Sequence, residues 1–292
     1  MTAAFGNSYG YDANGNQTTR TIGGVTYTFT YDYENHLTAV SGGSISASFV
    51  YDADGNRVKG TVNGTTTVYL AGLYEYQSGA TTLYYEGNAL RRTGYATDNG
   101  VFYLLQDQLK SSSALINQNG TVNSRNYFDP FGGNRGGAAF SALTTKRFTG
   151  QYHEAGLPGG EGLSYYGARW YDAQLGRFAS PDTIVPGPTN PQTFNRYAYT
   201  LNNPLSYTDS TGHSVDGPGV GSYDYSGSYS STCNTWTGCN ATTPLVQSCA
   251  YNACRDRDVS TTIRFYANTY GIPEHLLGAT MMTEAIDDQQ WK

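Results

Sequence analysis

Tyr-Asp pairs recur at a fixed interval early in the chain: Tyr11-Asp12, Tyr31-Asp32 and Tyr51-Asp52 stand 20 residues apart. Their contexts read YGYDANGNQTT, FTYDYENHLTAV and FVYDADGNRVKG. The stretch leading into the second pair, TYTFTYD, alternates strictly. Tyr27, Phe29 and Tyr31 share one face and Thr26, Thr28 and Thr30 the other, the pattern of a half-buried strand with an aromatic face. Behind two of the pairs, Asn14-Gly15 and Asp54-Gly55 carry the positive φ angles expected of tight hairpin turns. Each unit therefore reads as strand, turn, strand, with the tyrosine at the strand end. A period near 20 in a β context means units that cannot bury their face alone and stack on their neighbours. The repeated aspartates suit a structural role, accepting backbone N–H bonds at the turns. The first strand is expected to be an exposed edge unless more protein precedes it.

Composition points the same way. The chain holds 27 Tyr and 36 Gly among 292 residues, with only 14% charged side chains, which favours a mainly β body of many short strands. A net charge of −6 without a run of Lys or Arg argues against a nucleic-acid groove. The opening MTAAFGNSYGYD has neither the basic start nor the apolar core of a signal peptide. No apolar run approaches the roughly 18 residues of a membrane span, so export would depend on another part or partner. DPFGGNRGGAAF is a Pro/Gly loop without the Gly-Lys-Ser/Thr of a phosphate cradle. His36, His153, His213 and His275 are scattered, so neither a metal nor an organic cofactor is expected. Cys233, Cys239, Cys249 and Cys254 form no C-x-x-C pair and read as a local disulfide staple of open connectivity, or else as unpaired thiols in a linker. A staple would imply an oxidising destination.

Four regions follow along the chain. Residues 1–128 continue as hairpins, with Asn63-Gly64 and Asn119-Gly120 as further turns. Residues 129–213 contain LSYYGARWYDAQLGRFASPD, where Tyr165, Tyr166, Trp170, Tyr171 and Phe178 surround Arg169, Arg177, Asp172 and Asp182. Aromatic walls of this kind desolvate the charges between them, so this stretch is either a core with an ion pair or a site. Residues 214–257 are rich in Gly, Ser and Tyr and read as a linker. Residues 258–292 change class again: Asp258 or Ser260 caps a helix to Asn268, and Pro273 opens a second through Ala285. Leu277, Met281 and Glu284 then share one helical face.

The ordered motifs YDADGNR, YLLQDQLKSSSALINQNGTV, YFDPFGG, RFTGQYHEAGLPGGEGLSYYGARWYDAQLGRFASPD and NRYAYTLNNPLSYTDSTGH resemble the Rhs/YD-repeat proteins and their repeat-associated core, over roughly Tyr9 to His213. Similar modules occur in bacterial polymorphic toxins, insecticidal toxin-complex subunits and animal teneurins. The resemblance implies a spiral antiparallel β-sheet shell, a core that plugs one end, and a C-terminal effector as cargo, here truncated. A secretion apparatus and an immunity protein are its implied partners, and a secreted or cell-surface location its implied destination. It also implies that the core cuts its own chain as an aspartyl autoprotease, with Arg169 and Asp182 matching the catalytic arginine and aspartate. Asp209 comes from the last motif, and the cut is placed between His213 and Ser214. Two carboxylates in one apolar pocket cannot both ionise cheaply, so one would activate water while the other protonates the scissile amide. Arg169 would orient or charge-balance one of them. Thr183 and Ser210 stand where the family pattern has proline, which would loosen the turn beside each aspartate. Arg177, Asp172 and Asp129 read as structural. YANTYGIPEHLLGATMMTEAIDD resembles the opening of a lytic transglycosylase or lysozyme-like domain, with Glu284 at the position of its catalytic acid. The alternative, from another class, is an adhesion or carbohydrate-binding module that offers exposed aromatics of its sheet to glycans.

Overall fold

Two kinds of turn, used in alternation, decide the architecture. The computed structural model describes residues 1–85, 88–135, 141–184 and 191–216. Fourteen strands run in sequence order through one antiparallel sheet. They are β1 (Ala3–Ala4), β2 (Asn7–Tyr11), β3 (Gln17–Ile22), β4 (Val25–Tyr31), β5 (Leu37–Gly42), β6 (Ile45–Tyr51) and β7 (Arg57–Val62). The sheet continues with β8 (Thr65–Leu70), β9 (Tyr74–Gln77), β10 (Ala80–Tyr85), β11 (Ala89–Thr93), β12 (Gly100–Gln106), β13 (Ser112–Asn117) and β14 (Val122–Arg125).

The first kind of turn is a two-residue loop. Gly23-Gly24 (φ 57° and 81°) joins β3 to β4 and Asn63-Gly64 (φ 50° and 83°) joins β7 to β8. Left-handed φ at both central residues matches the right-handed twist of the strands. The second kind is built on the repeated aspartate. Asp52 Oδ1 accepts the N–H of Asp54 at 3.0 Å and of Asn56 at 2.9 Å. Asp32 Oδ1 does the same for Glu34 (2.9 Å) and His36 (2.8 Å), and beyond the Tyr-Asp pairs Asp107 does so for Leu109 and Ser111. These loops differ from the tight hairpins expected there: positive φ falls on Gly15 and Gly55, not on Asn14 or Asp54. The tyrosine before each aspartate sits where the register shifts, at Gly10/Tyr11, Thr30/Tyr31 and Val50/Tyr51. Such a bulge re-aims its side chain. Tyr51 uses this to reach the preceding unit, donating to the Leu37 carbonyl at 2.7 Å.

The alternation along β4 emerges as read: Phe29 is buried, Tyr27 and Tyr31 half-buried, and the three threonines exposed. Onto that aromatic face packs a second antiparallel sheet, β15 (Tyr152–Glu154), β16 (Leu163–Tyr165), β17 (Trp170–Asp172) and β18 (Arg177–Phe178). Phe29, Leu37, Val40 and Phe49 meet Leu157, Leu163, Tyr165 and Trp170 in one core, with the Phe49 and Trp170 rings 4.7 Å apart. A second core gathers Tyr84, Leu90, Phe102, Leu104 and Leu115 under Leu143. A third, within the 126–216 region, is aromatic: Phe148, Tyr166, Tyr171, Phe178 and Tyr199.

Buried charges bolt the two sheets together. Arg20 Nη1 lies 2.7 Å from Asp172 Oδ2, and Arg57 Nη1 lies 2.7 Å from Glu154 Oε1. Glu75 accepts from Tyr84 at 2.9 Å and from Thr145 at 2.6 Å, and burial pushes its carboxyl above the usual range. No helix among the described residues is long and apolar enough to cross a membrane. The four cysteines, the two expected helices and Glu284 lie outside the described residues.

Candidate functional site

The site grows from one guanidinium. Arg169 precedes β17, is 4% exposed, and lies with its Cζ 3.7 Å from the centroid of the Phe178 ring. Its Nε donates to the Gly212 carbonyl and its Nη1 to the Arg196 carbonyl at 2.9 Å. Its Nη2 lies 3.0 Å from Asp182 Oδ2 and 3.4 Å from Asp209 Oδ2. One buried cation thus holds two carboxylates and two backbone oxygens, a geometry that only a fork of several donors can satisfy.

Asp209 is presented by the same device as the repeat aspartates. Its Oδ1 accepts N–H bonds from Thr211 (3.2 Å), Gly212 (2.7 Å) and Ser214 (3.1 Å), wrapping residues 209–214 around the carboxylate. Unlike Asp52, it is 2% exposed. Burial pushes its carboxyl above the usual range, against the opposing pull of Arg169 and the three N–H donors. Asp182 Oδ1 accepts the Ile184 N–H at 2.9 Å and lies 2.7 Å from His213 Nδ1. The 209–215 loop is closed by a pair of 2.8 Å backbone hydrogen bonds between Thr208 and Asp216. Two glycines let it lie against the 163–169 segment. A Cβ on Gly212 (φ 82°) would stand 2.5 Å from the Tyr166 carbonyl, and one on Gly167 (φ 77°) 2.8 Å from that of Thr211.

Arg169, Asp182, Asp209, His213 and Ser214 therefore stand together, with Asp209 on the N–H of the peptide bond between the last two. They line a cavity of about 30 Å³, roughly the volume of one water molecule. Thr200 and Leu201 also line it, from a run of three left-handed residues, Thr200 (φ 44°), Leu201 (φ 53°) and Asn202 (φ 61°). Non-glycine residues in that conformation cost on the order of 1–3 kcal/mol each and persist where the surroundings over-determine them.

The charges read as structural separate from the site. Asp172 pairs with Arg20, and the Arg177 guanidinium carbon lies 5.0 Å from the centroid of the Tyr197 ring. Sequence reasoning missed two members. His213 appeared only as half of a peptide bond, yet its ring is on Asp182. Asp216 was not singled out at all, although its Oδ2 accepts from Ser214 Oγ and from the Ser210 N–H, each at 3.0 Å. That second bond gives the Ser210 departure a physical reason, since proline has no N–H to donate.

No family model and no curated protein matches the sequence. Solved structures do share the fold. The chain is similar to TcdB2-TccC3, with 22% identity and a TM-score of 0.54 over 69% of this chain. It is also similar to a Photorhabdus luminescens Tc holotoxin pore carrying a TccC3 variant, with 19% identity and a TM-score of 0.51 over 71% of this chain. The match spans 11% and 13% of those much longer chains. The likeness extends the fold assignment: a YD-repeat antiparallel β-sheet of the kind found in these toxin structures.

Proposed function

We propose that the chain is a piece of an Rhs-type toxin-delivery protein, secreted or displayed at the cell surface, whose core region cuts its own backbone between His213 and Ser214. The observation that carries the self-cleavage reading is the Ser214 N–H on Asp209 Oδ1, with Asp182 Oδ1 on the imidazole of His213, the residue before that bond. Asp209 is the acid: protonated, it delivers its proton to the Ser214 nitrogen as the C–N bond breaks. Burial raises its pKa and so favours its protonated form. Asp182, ion-paired to Arg169, takes the proton of the water that becomes the new carboxylate oxygen of His213. Arg169 locks both carboxylates in place and balances their charge as the proton moves between them.

The delivery role is supported by the fold shared with the Tc toxin chains. The sheet's buried aromatic face is covered by β15–β18, not offered as a glycan platform, which favours delivery over adhesion. In this reading residues 129–213 form the plug, 214–257 a linker, and 258–292 the start of the cargo. A secretion apparatus and an immunity protein complete the system.

Intact mass and N-terminal sequencing of the purified chain, beside Asp182→Asn and Asp209→Asn, test the cut. The expected result is a fragment beginning at Ser214 in the wild type and an uncut chain in both folded variants. An uncut, folded wild type would assign the charged cluster to stability alone.

A further inference from the structure

Ser214 has a hydroxyl placed more deliberately than a residue next to a cleaved bond requires. Its Oγ–H is donated to Asp216 Oδ2 at 3.0 Å, and Asp209 Oδ1 lies 3.3 Å from the same oxygen. Ser214 is 7% exposed, so this hydroxyl is held by carboxylates and shielded from bulk solvent. Asp182 and Asp209 both lie on Arg169, whereas Asp216 has no cation partner among the described residues. Asp216 is in turn fixed by the Ser210 N–H and by the Thr208 bridge.

We propose that Ser214 Oγ is the first nucleophile of the cut, attacking the carbonyl carbon of its own peptide bond with His213 and converting that amide into an ester. The proposal rests on the self-cleavage reading and specifies its chemistry. In the first step the Oγ–H proton passes to Asp216 as the bond from Oγ to the His213 carbonyl carbon forms. The C–N bond then breaks with its electron pair going to the Ser214 nitrogen, which takes a proton from Asp209. The product is an ester between His213 and Ser214 Oγ, with a free α-amine on Ser214. In the second step a water molecule adds to the ester carbonyl and gives its proton to Asp182. The C–Oγ bond breaks and the hydroxyl recovers its proton from Asp216. One water is consumed in all, as in direct hydrolysis, and the ends are a His213 carboxylate and a Ser214 amine.

Attack through a five-membered ring needs no encounter, and well-oriented intramolecular nucleophiles reach effective concentrations of about 10⁵–10⁸ M. The carboxylates supply what an ordinary serine lacks: a base on the hydroxyl and an acid on the leaving nitrogen. The roughly 30 Å³ cavity beside them, lined by Arg169, Asp182, Asp209 and Thr200, admits the water of the second step. Thr200 Oγ1 is buried there without a partner.

The test follows the full-length chain over time by intact mass, with and without hydroxylamine, beside Ser214→Ala and Ser214→Cys. The expected results are a His213 hydroxamate in place of the carboxylate when hydroxylamine is present, and loss of the fragment in Ser214→Ala. Ser214→Cys is expected to cut faster with added dithiothreitol, because its intermediate is a thioester. Wild-type trapping needs no substitution, so a misfolded variant does not blunt the test. A Ser214→Ala chain cut at the wild-type rate, with only carboxylate formed in hydroxylamine, overturns the proposal and leaves direct attack by water. A folded wild type that stays uncut overturns the self-cleavage reading and the proposal with it.

Discussion

Lowering the pH from neutral removes stability through one buried histidine. His153, on β15, has its Nε2 2.7 Å from the Glu161 carbonyl and its Nδ1 3.0 Å from Ser164 Oγ. The neutral ring therefore carries its proton on Nε2 and accepts the serine hydroxyl at Nδ1. Burial first, and then the positive charge of Arg147, push its pKa down to about 4, with the Glu161 carbonyl pulling the other way. An unfolded histidine titrates near 6.5, so the folded state resists a proton that the unfolded state accepts. The stabilisation is fully present above that unfolded value and is lost as the pH falls toward the folded one. Worked through the linkage relation, the loss is about 2 kcal/mol between pH 7 and pH 5 and about 3 kcal/mol by pH 4. Glu75 and Asp209 have raised carboxyl pKa values, so their contribution runs oppositely, being present at low pH and lost as the pH rises through their folded values. They are common to wild type and His153→Gln, so the difference between the two isolates the histidine. Urea unfolding followed by tryptophan fluorescence at pH 7 and pH 5 is the assay. The wild type is expected to lose about 2 kcal/mol more than the variant over that interval. Parallel losses in the two proteins would refute the argument that burial keeps His153 neutral.

Three further outcomes follow from the packing. Glu154→Ala strands the Arg57 guanidinium, which has no side-chain exposure and lies among the rings of Phe49, Tyr69, Tyr152, Tyr165 and Trp170. It should cost about 3–5 kcal/mol, and adding Arg57→Met should recover much of that in a double-mutant cycle. Trp170→Ala empties the centre of the inter-sheet core and should cost about 3–5 kcal/mol by denaturant titration, leaving the sheet's far-ultraviolet dichroism intact below the transition. Gly212→Ala drives a methyl into the Tyr166 carbonyl. It should abolish the Ser214 fragment by mass spectrometry and also lower the denaturant midpoint, because the new Cβ meets the backbone of Tyr166, Ala168 and Arg169 and the position requires a left-handed alanine.

The repeat made the large sheet legible before any coordinates. A Tyr-Asp pair every 20 residues with alternating aromatic and hydroxyl neighbours leaves one local answer, a stack of hairpins with one face buried. Strand periodicity and turn chemistry act over a few residues, and that is the range a sequence expresses directly. The bulge under each tyrosine was not legible, because register depends on which strand lies opposite. Nor were the Arg20–Asp172 and Arg57–Glu154 pairs, whose members are brought together only when β15–β18 dock on the aromatic face. The site divides in the same way. Motif order singled out Arg169, Asp182 and Asp209, but locally Asp209 and Asp52 are alike in kind: both head a loop and both accept its N–H groups. What separates them is what surrounds the loop. Asp52 is only partly buried, whereas Asp209 is sealed beneath Arg169 and an aromatic cluster, where burial raises its pKa and the Ser214 N–H lies on its carboxylate. Local chemistry wrote the aspartate-headed turns, and tertiary burial decided which of them holds a carboxyl of raised pKa.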